Sequence, residues 1–275
     1  EILRCLVGSE MCIRDSYEIA CKEDDTRLKT FADNQFYGRF LELPADVVGY
    51  NRYFGWYKEA GSAENFGEWL DLYHNEKEKR PVCLSEYGGG GAISQHKDNV
   101  DWESDIDPVG VRHYENYQSQ LHEILWKQFS VRKYLWAEFI WCMFDFASYG
   151  RTEGDTKSQN DKGLCTRERI PKDVYFFYKS VWSSEKTVYI TERRHEFRAC
   201  DVPFVKVYSN ADAVELCIND VSYGRISRCE LLDDESTVFV WENIKIKPDT
   251  KNKICAKAYF SDGTSRTDYA FWTGQ

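Results

Sequence analysis

The chain has 275 residues and a formal net charge of −10. This length is enough for one large domain or for a medium domain followed by a small one, and we expect two domains. The acidic balance disfavours a phosphate-binding surface, so nucleic acid is not an expected partner. No apolar run approaches the roughly 18 residues of a membrane span, and the ten cysteines show no metal-ligand spacing, so neither a membrane partner nor a zinc site is expected.

The sequence CLVGSEMCIRDS at residues 5–16 is unlike a natural domain start. It resembles the translated adapter read-through found at the ends of metagenomic gene models. We therefore expect residues 1–16 to be a non-native leader and the natural protein to continue upstream of about Tyr17.

Between Tyr17 and about residue 184, short apolar runs alternate with amphipathic stretches, which is typical of β/α units around a parallel sheet. The predicted strands are Leu28–Ala32, Asp46–Asn51, Val82–Glu86 and Tyr134–Phe146.

The spacing of apolar residues predicts helices over Phe66–Tyr73 and Tyr114–Leu125, and a third beginning at Pro171, since proline is favoured at a first helical position. His113 and His122 lie on or beside the second helix without a carboxylate partner in the sequence, so we expect both at the surface.

From residue 185 onwards the pattern changes to short runs of alternating polarity separated by turn residues. These runs predict a small β-sandwich with a hairpin turn at Ser261–Thr264. The predicted strands contain Val205–Tyr208, Val214–Ile218, Val238–Trp241 and Ile254–Ala258.

Glu86 ends a predicted strand and is followed by the glycine run Gly88–Gly91. In a β/α barrel the catalytic groups lie at the C-terminal ends of strands, so Glu86 is a candidate nucleophile. The alternative interpretation is a strand-end glutamate that caps a loop or pairs with an arginine.

Other predicted strand ends carry polar and aromatic groups: Asn51 and Tyr53 on one strand, and Trp136, Trp141 and Asp145 on another. Polar groups there could bind sugar hydroxyls while an indole packs on the sugar ring. Alternatively, the tryptophans belong to the core and Asn51 caps a turn.

In order and spacing, four segments resemble the second half of the catalytic barrel of glycoside hydrolase family 2. They are NRYFGWY, SEYGGG, WCMFDFASYGRTEGDTKSQNDKGLCTRER and PKDVYFFYKSVW. The later VKVYSNADAVELCIND and FVWENIKI resemble the immunoglobulin-like domain that follows that barrel. The resemblance implies an α/β fold over 17–184, the C-terminal half of a TIM (β/α)8 barrel, followed at 185–275 by an all-β immunoglobulin-like sandwich.

The same resemblance implies roles for four residues. Glu86 would be the nucleophile of a retaining mechanism, Tyr53 would lie beside it, and Asn51 and Trp141 would line the pocket. The acid/base glutamate of the family has no counterpart here. We therefore expect the chain alone, with about half of the barrel strands, to be inactive and prone to aggregation. No cofactor or metal is expected from its residues, and a homo-oligomer is compatible with the full-length protein.

The substrate is expected to be an oligosaccharide or glycoside, and Asn160 and Lys162 bear on which sugar. An Asn-x-Lys element resembles the one that holds the substrate carboxylate in β-glucuronidases. The surrounding NDKGL and GRTEGDT segments and Gly91–His96 resemble the galactosidase branch more closely. We therefore favour terminal β-galactosides over β-glucuronides. A solvated loop lysine at 162 and a non-catalytic carbohydrate-binding protein are the remaining alternatives.

Overall fold

The computed structural model of the chain describes residues 6–34, 41–231 and 236–275, with side chains from residue 11 onwards. The chain divides into two compact units, one formed by residues 1–89 and 121–142 and the other by residues 90–120 and 143–275. The α-helices are α1 (Leu6–Glu23), α2 (Phe66–Leu72), α3 (Trp102–Asp105), α4 (Glu115–Ser130) and α5 (Asp173–Trp182). No described helix is both long and apolar enough to cross a membrane.

The first unit contains a parallel sheet of four strands in sequence order: β1 (Ala32–Asp33), β2 (Val48–Asn51), β3 (Val82–Tyr87) and β4 (Glu138–Ile140). Val82, Cys83 and Leu84 in β3 are all almost fully buried, as expected for a parallel strand covered on both faces. Helical segments separate β2 from β3 and β3 from β4, as in the sheet of a half barrel.

Aromatic side chains attach the helices to this sheet. The ring of Tyr50 in β2 meets the ring edges of Trp69 in α2 and Tyr73 just after it, with centroids 5.4 and 5.5 Å away. Tyr87 in β3 meets Phe129 of α4 at 4.9 Å. These contacts follow the predicted 3.6-residue spacing, and the structure places a helix at both predicted positions, 66–73 and 114–125.

Two predicted strands are much shorter than expected. Of Leu28–Ala32 only Ala32 is in a strand, and Leu28 is 74% exposed. None of these five residues is buried, so the run has no apolar face packed in the core. Of Tyr134–Phe146 only Glu138–Ile140 and Phe146–Ala147 are strands. Phe139 in that run is 53% exposed. The aromatic residues of this run are therefore not all packed in one long buried strand, contrary to the prediction from the sequence pattern.

The third predicted helix begins two residues later than expected. Its first residue is Asp173, and Lys172 before it has an extended backbone. Pro171 instead forms a bridge with Cys165, and the Lys172 amide donates to the Leu164 carbonyl. These backbone contacts hold the segment in extended conformation until Asp173.

The second unit contains two larger sheets, whose strands do not follow the order of the chain, and a two-stranded sheet. Five strands pair in the order β11-β10-β13-β14-β8, three in the order β12-β9-β7, and β5 with β6. The strands are β5 (Phe146–Ala147), β6 (Gln159–Asn160), β7 (Val188–Ile190), β8 (Phe197–Arg198), β9 (Asp201–Ser209), β10 (Ala213–Ile218), β11 (Val221–Ser227), β12 (Val238–Lys245), β13 (Lys251–Tyr259) and β14 (Ser265–Gly274).

Alternate residues of both larger sheets fill one common core. Val207 of β9, Leu216 of β10, Phe239 of β12 and Ile254 of β13 are each 3% exposed or less and belong to that core, as expected for strands with one inward face. All four predicted strand segments lie within strands, and Ser261–Thr264 connects β13 to β14 as an antiparallel hairpin.

Candidate active site

Glu86 lies near the C-terminal end of β3, in register with Asn51 of β2. One oxygen of its carboxylate, Oε2, accepts a hydrogen bond from the Tyr53 hydroxyl at 2.6 Å. Across the same strand ends, the Arg52 amide donates to the Glu86 carbonyl at 2.9 Å. Adjacent parallel strands thus bring the predicted nucleophile and the predicted neighbour together, because their C-terminal ends meet at one edge of the sheet.

The hydroxyl of Tyr53 is held in its protonated form. Burial, followed by the hydrogen bond to Glu86 and the charge of that carboxylate, raises the pKa of Tyr53 far above its ordinary value. A phenol that keeps its proton remains a hydrogen-bond donor over the whole physiological pH range. Tyr53 can therefore act as a hydrogen-bond donor that orients the Glu86 carboxylate.

Asn51 lies on the neighbouring strand end and is also hydrogen-bonded across it. Its side-chain oxygen accepts from the Ser85 hydroxyl at 2.7 Å. This bond fixes the amide so that its NH2 group faces away from Ser85. A Cβ at Gly49 would lie 2.8 Å from the Ser85 side chain, so the glycine gives Ser85 the room it occupies.

Arg52, between Asn51 and Tyr53 in the sequence, was not singled out from the sequence. It is fully buried, and its Nη1 donates to the carbonyl oxygens of Asp33 and Asn51 at 2.7 and 2.8 Å. Its guanidinium also lies 4.9 Å from the ring centroids of Tyr50 and Trp69. An arginine inside the aromatic run NRYFGWY was the available signal, because a buried cation needs such partners.

Trp141 follows β4 and is partly exposed. Its amide donates to the carbonyl of Tyr87 at 3.0 Å, and the peptide bond that follows it is cis. The hydrogen bond places the Trp141 backbone beside Tyr87, the residue that follows Glu86.

The prediction that His122 lies at the surface is wrong. Its side chain is fully buried, and a Cβ at Gly88 would lie 2.8 Å from its imidazole carbon Cε1. Gly88 has φ +129°, a conformation that residues with a side chain rarely adopt. The glycine run after Glu86 thus lets the backbone turn against the histidine ring, and the helical pattern alone did not reveal this packing.

The second unit contains Asn160 and Lys162, which are 3% and 2% exposed. The side-chain oxygen of Asn160 accepts from the Lys162 amide at 3.0 Å, and the Gly163 amide donates to Asp145 Oδ1 at 2.8 Å. The Gly163 carbonyl accepts from Gln118 Nε2 at 3.2 Å. The segment is therefore a buried turn, and the interpretation of Lys162 as a solvated loop lysine is wrong.

Asp145, expected at the tip of a strand facing a sugar, is buried and forms an ion pair with Lys172. The two atoms Asp145 Oδ1 and Lys172 Nζ are 2.8 Å apart. Burial raises the pKa of Asp145 to about 6 although the Lys172 charge works in the opposite direction. Lys172 was not identified from the sequence, because a lone lysine before a helix carries no pattern that marks it as buried.

His113, also expected at the surface, is fully buried and pairs with Asp161. Its Nδ1 lies 2.6 Å from Asp161 Oδ2. Burial opposes ionisation of Asp161, but the hydrogen bond and charge of His113, with the charges of Lys172 and Lys162, hold its pKa below the ordinary value. The partner lies 48 residues along the chain, which explains why sequence proximity did not reveal it.

In the described part of the chain, a cluster that could hold a metal ion is formed by Asp98, Glu192 and His195. Their ligand atoms all lie within 4.8 Å of one another. A guanidinium already supplies positive charge there, because Arg198 pairs with Asp98 and lies 3.0 Å from Glu192. We therefore assign no metal to this cluster.

The chain matches two family models. Residues 8–187 match the model described as "Glycosyl hydrolases family 2, TIM barrel domain", and residues 202–266 match a "Domain of unknown function (DUF4982)".

Among curated proteins, the chain is 34% identical over 236 residues to a β-glucuronidase of Bacteroides fragilis, covering 85% of this chain and 32% of the relative. The chain thus spans about a third of that relative's length.

Two solved structures resemble the whole chain. An FMN-binding β-glucuronidase from Facaelibacterium prausnitzii has a TM-score of 0.82 at 31% identity, with 100% of this chain and 39% of that chain covered. A Bacteroides fragilis protein assigned as a β-galactosidase has a TM-score of 0.87 at 27% identity, with 100% and 40% covered. Since the TIM barrel model covers more than half of the sequence, the chain belongs to glycosyl hydrolase family 2.

Proposed function

We propose that this chain contributes the nucleophile-bearing half of the catalytic barrel to a retaining β-glycosidase that hydrolyses β-glucuronides. The observation that carries the catalytic part is the Glu86 carboxylate at the end of β3, hydrogen-bonded at 2.6 Å by Tyr53. Strand-end carboxylates of this kind act as nucleophiles in barrel glycosidases.

In the proposed reaction, a Glu86 oxygen attacks the anomeric carbon and the bond to the leaving-group oxygen breaks. A second carboxylic acid protonates that oxygen, which gives a glycosyl ester on Glu86. The same second group then takes a proton from water, the water oxygen attacks the anomeric carbon, and Glu86 leaves. Tyr53 would orient the carboxylate in both steps, and Asn51 and Trp141 would contact the sugar.

The second carboxylic acid is expected outside these residues. The one Asn-Glu sequence in the chain, Asn75-Glu76, lies in the helical turn Tyr73–Lys77 rather than at a strand end. The acid/base group of a retaining enzyme should lie about 5 to 5.5 Å from the nucleophile at another strand end.

The preference for a glucuronide rests on the segment 160–162. A buried lysine beside an ordered asparagine is suited to a carboxylate, since an ammonium and an amide can both bind its oxygens. The B. fragilis relative named as a β-glucuronidase, at 34% identity, supports the same choice. We therefore place glucuronides ahead of galactosides, the reverse of the order favoured from sequence.

A β-galactosidase is the second candidate. The solved structure assigned to that activity has a TM-score of 0.87 with this chain. We further propose that β7 to β14 form the immunoglobulin-like domain that the sequence resemblance implies, which the common core of the two sheets supports.

The test uses the protein encoded by the complete gene that carries this chain. It is assayed with nitrophenyl β-glucuronide and nitrophenyl β-galactoside, as the wild type and as Lys162→Met. Preference for the glucuronide that is lost in Lys162→Met supports the proposal. Preference for the galactoside, unchanged in Lys162→Met, supports the second candidate. Release of nitrophenol from neither substrate contradicts both and favours a non-catalytic carbohydrate-binding protein.

A further inference from the structure

The ammonium group of Lys172 is hydrogen-bonded to the buried turn that contains Lys162. It donates to the carbonyl oxygens of Gly91 and Asp161 at 2.6 and 2.8 Å, and to Asp145 Oδ1 at 2.8 Å. The side chain of Lys172 is fully buried. All three of its hydrogens therefore have protein acceptors, which satisfies the donor capacity of an ammonium.

The three acceptors come from separate parts of the sequence, and each part adjoins a candidate site residue. Gly91 follows Glu86 by five residues, and Asp145 follows Trp141 by four. Asp161 lies between Asn160 and Lys162. A buried charge needs good geometry with all its partners, so one ammonium links two backbone carbonyls and one carboxylate from three separate segments of the chain.

Lys172 restrains the chain on both sides of Lys162. On one side it binds the Asp161 carbonyl, which also accepts from the Gly91 amide at 3.1 Å. On the other side its ion-pair partner Asp145 accepts from the Gly163 amide. A Cβ at Gly163 would lie 2.2 Å from the Asp145 amide nitrogen, so the two segments are in close contact.

We infer that Lys172 is a positioning residue for substrate specificity, acting through the Asn160–Gly163 turn to hold Lys162 where it binds the carboxylate of a uronic acid. The inference rests on the proposed function. Lys172 itself does not contact substrate: its role is to pair with Asp145 and to hold the turn from within. A flexible side chain such as lysine binds a small anion more selectively when its backbone is already fixed, because less ordering is needed on binding.

The experiment measures kcat/KM of the enzyme from the complete gene for nitrophenyl β-glucuronide and for the uncharged β-galactoside. We expect Lys172→Met to lower the glucuronide-to-galactoside ratio by about tenfold or more, mainly through KM for the glucuronide. In a Lys162→Met background the same substitution should change the ratio by less than about twofold, because Lys172 acts through Lys162.

Lys172→Met leaves the Asp145 charge unpaired, so a second variant protects the test against misfolding. The double substitution Lys172→Met with Asp145→Asn removes both charges and keeps an acceptor for Gly163. The same loss of ratio is expected. Lys179→Met serves as the matched control, since this lysine of α5 is partly exposed and pairs with Glu185. Lys179→Met should leave kcat/KM for both substrates unchanged.

The possible outcomes distinguish failure of this inference from failure of the proposed function. Parallel losses on both substrates, or a full additional loss in the Lys162→Met background, overturn the inference and leave the proposed function standing. A wild-type enzyme whose substrate preference does not change in Lys162→Met overturns the proposed function instead.

Discussion

At the scale of single residues, the contact between Tyr53 and Glu86 carries the catalytic interpretation. The phenol donates to Glu86 Oε2, and the described residues provide no other hydrogen bond to that carboxylate. The second oxygen can thus approach the anomeric carbon while the first is held. One donor thus fixes the orientation of the nucleophile.

We predict that Tyr53→Phe in the enzyme from the complete gene lowers kcat by about 10- to 100-fold, since a hydrogen bond to a charged group contributes about 1.5 to 3 kcal/mol. Steady-state kinetics on the preferred nitrophenyl glycoside measures the effect. Tyr223→Phe is the matched control, because its hydroxyl bonds the Lys245 carbonyl on an exposed strand. Equal kcat in Tyr53→Phe and wild type would remove Tyr53 from the mechanism.

Asp145 allows a prediction about pH. Its pKa is raised to about 6 by burial, above the ordinary value of about 3.9, so between these values the folded state binds more protons than the unfolded state. The contribution of Asp145 to stability must therefore fall as pH rises from about 4 to 6. Asparagine imitates the protonated acid and has no such dependence.

The measurement compares the thermal midpoints of wild type and Asp145→Asn across this pH range. Wild type should lose stability relative to the variant as pH rises, and the difference should become constant above about pH 6. A relative gain for wild type would mean that the attraction of Lys172 outweighs burial and that the pKa of Asp145 is lowered.

At the scale of elements, Gly163 sets how closely the buried turn approaches Asp145. The atoms that an added Cβ would meet are backbone atoms, 2.2 Å away at the Asp145 nitrogen and 2.4 Å at the Cys165 carbonyl. Backbone cannot move aside as a flexible side chain can.

We predict that Gly163→Ala lowers the free energy of unfolding by more than about 2 kcal/mol through overpacking. Gly263→Ala, in the open hairpin between β13 and β14, should cost only the roughly 1 kcal/mol of a left-handed conformation, since its Cβ would meet nothing within 4 Å. Denaturant unfolding of both variants compares the two. Similar losses would show that the close contact at Gly163 relaxes readily.

A second element-scale prediction concerns Cys217 of β10 and Cys255 of β13, which are direct partners in the antiparallel pair. Both thiols are free and partly exposed. Opposite residues in such a pair have Cα atoms about 4.5 to 5.5 Å apart, which is compatible with a disulfide.

Treatment with oxidised glutathione should therefore join Cys217 to Cys255, with loss of two hydrogens to the reduced glutathione formed. Intact mass and peptide mapping would identify the bond, which should raise the thermal midpoint. Cys217→Ser should abolish it, whereas substitution of the exposed Cys229 should have no effect. Mixed glutathione adducts on both cysteines, without the internal bond, would count against this geometry.

At the scale of the whole molecule, periodicity predicted the general architecture but not the extent of each element. The alternating runs after residue 185 became the strands β9, β10, β12 and β13, because each has one face in a common core. The run from Tyr134 to Phe146 misled because its aromatic residues are only partly in the sheet. Short strands at the mouth of a barrel are defined by hydrogen bonds to neighbours, which a single segment does not encode.

The site residues also differ in whether the sequence could predict them. Glu86 and Tyr53 could be proposed from the sequence because they follow strand runs and resemble a family motif. The pairs Lys172–Asp145 and His113–Asp161 could not, since each joins residues 27 and 48 positions apart and a lone charged residue shows no burial pattern. The expectations that residues 1–16 are a foreign leader, and that the chain alone is inactive and aggregates, stay predictions.

Covalent trapping would identify the residue that forms the glycosyl ester. The enzyme from the complete gene is incubated with a 2-deoxy-2-fluoro-β-glucuronyl fluoride, which forms a slowly hydrolysed glycosyl ester with a retaining nucleophile. The labelled peptide is then identified by mass spectrometry. We predict one ester per active site, on Glu86, and none in Glu86→Gln. An ester on any other carboxylate, or hydrolysis of nitrophenyl glycosides that persists in Glu86→Gln, would contradict it.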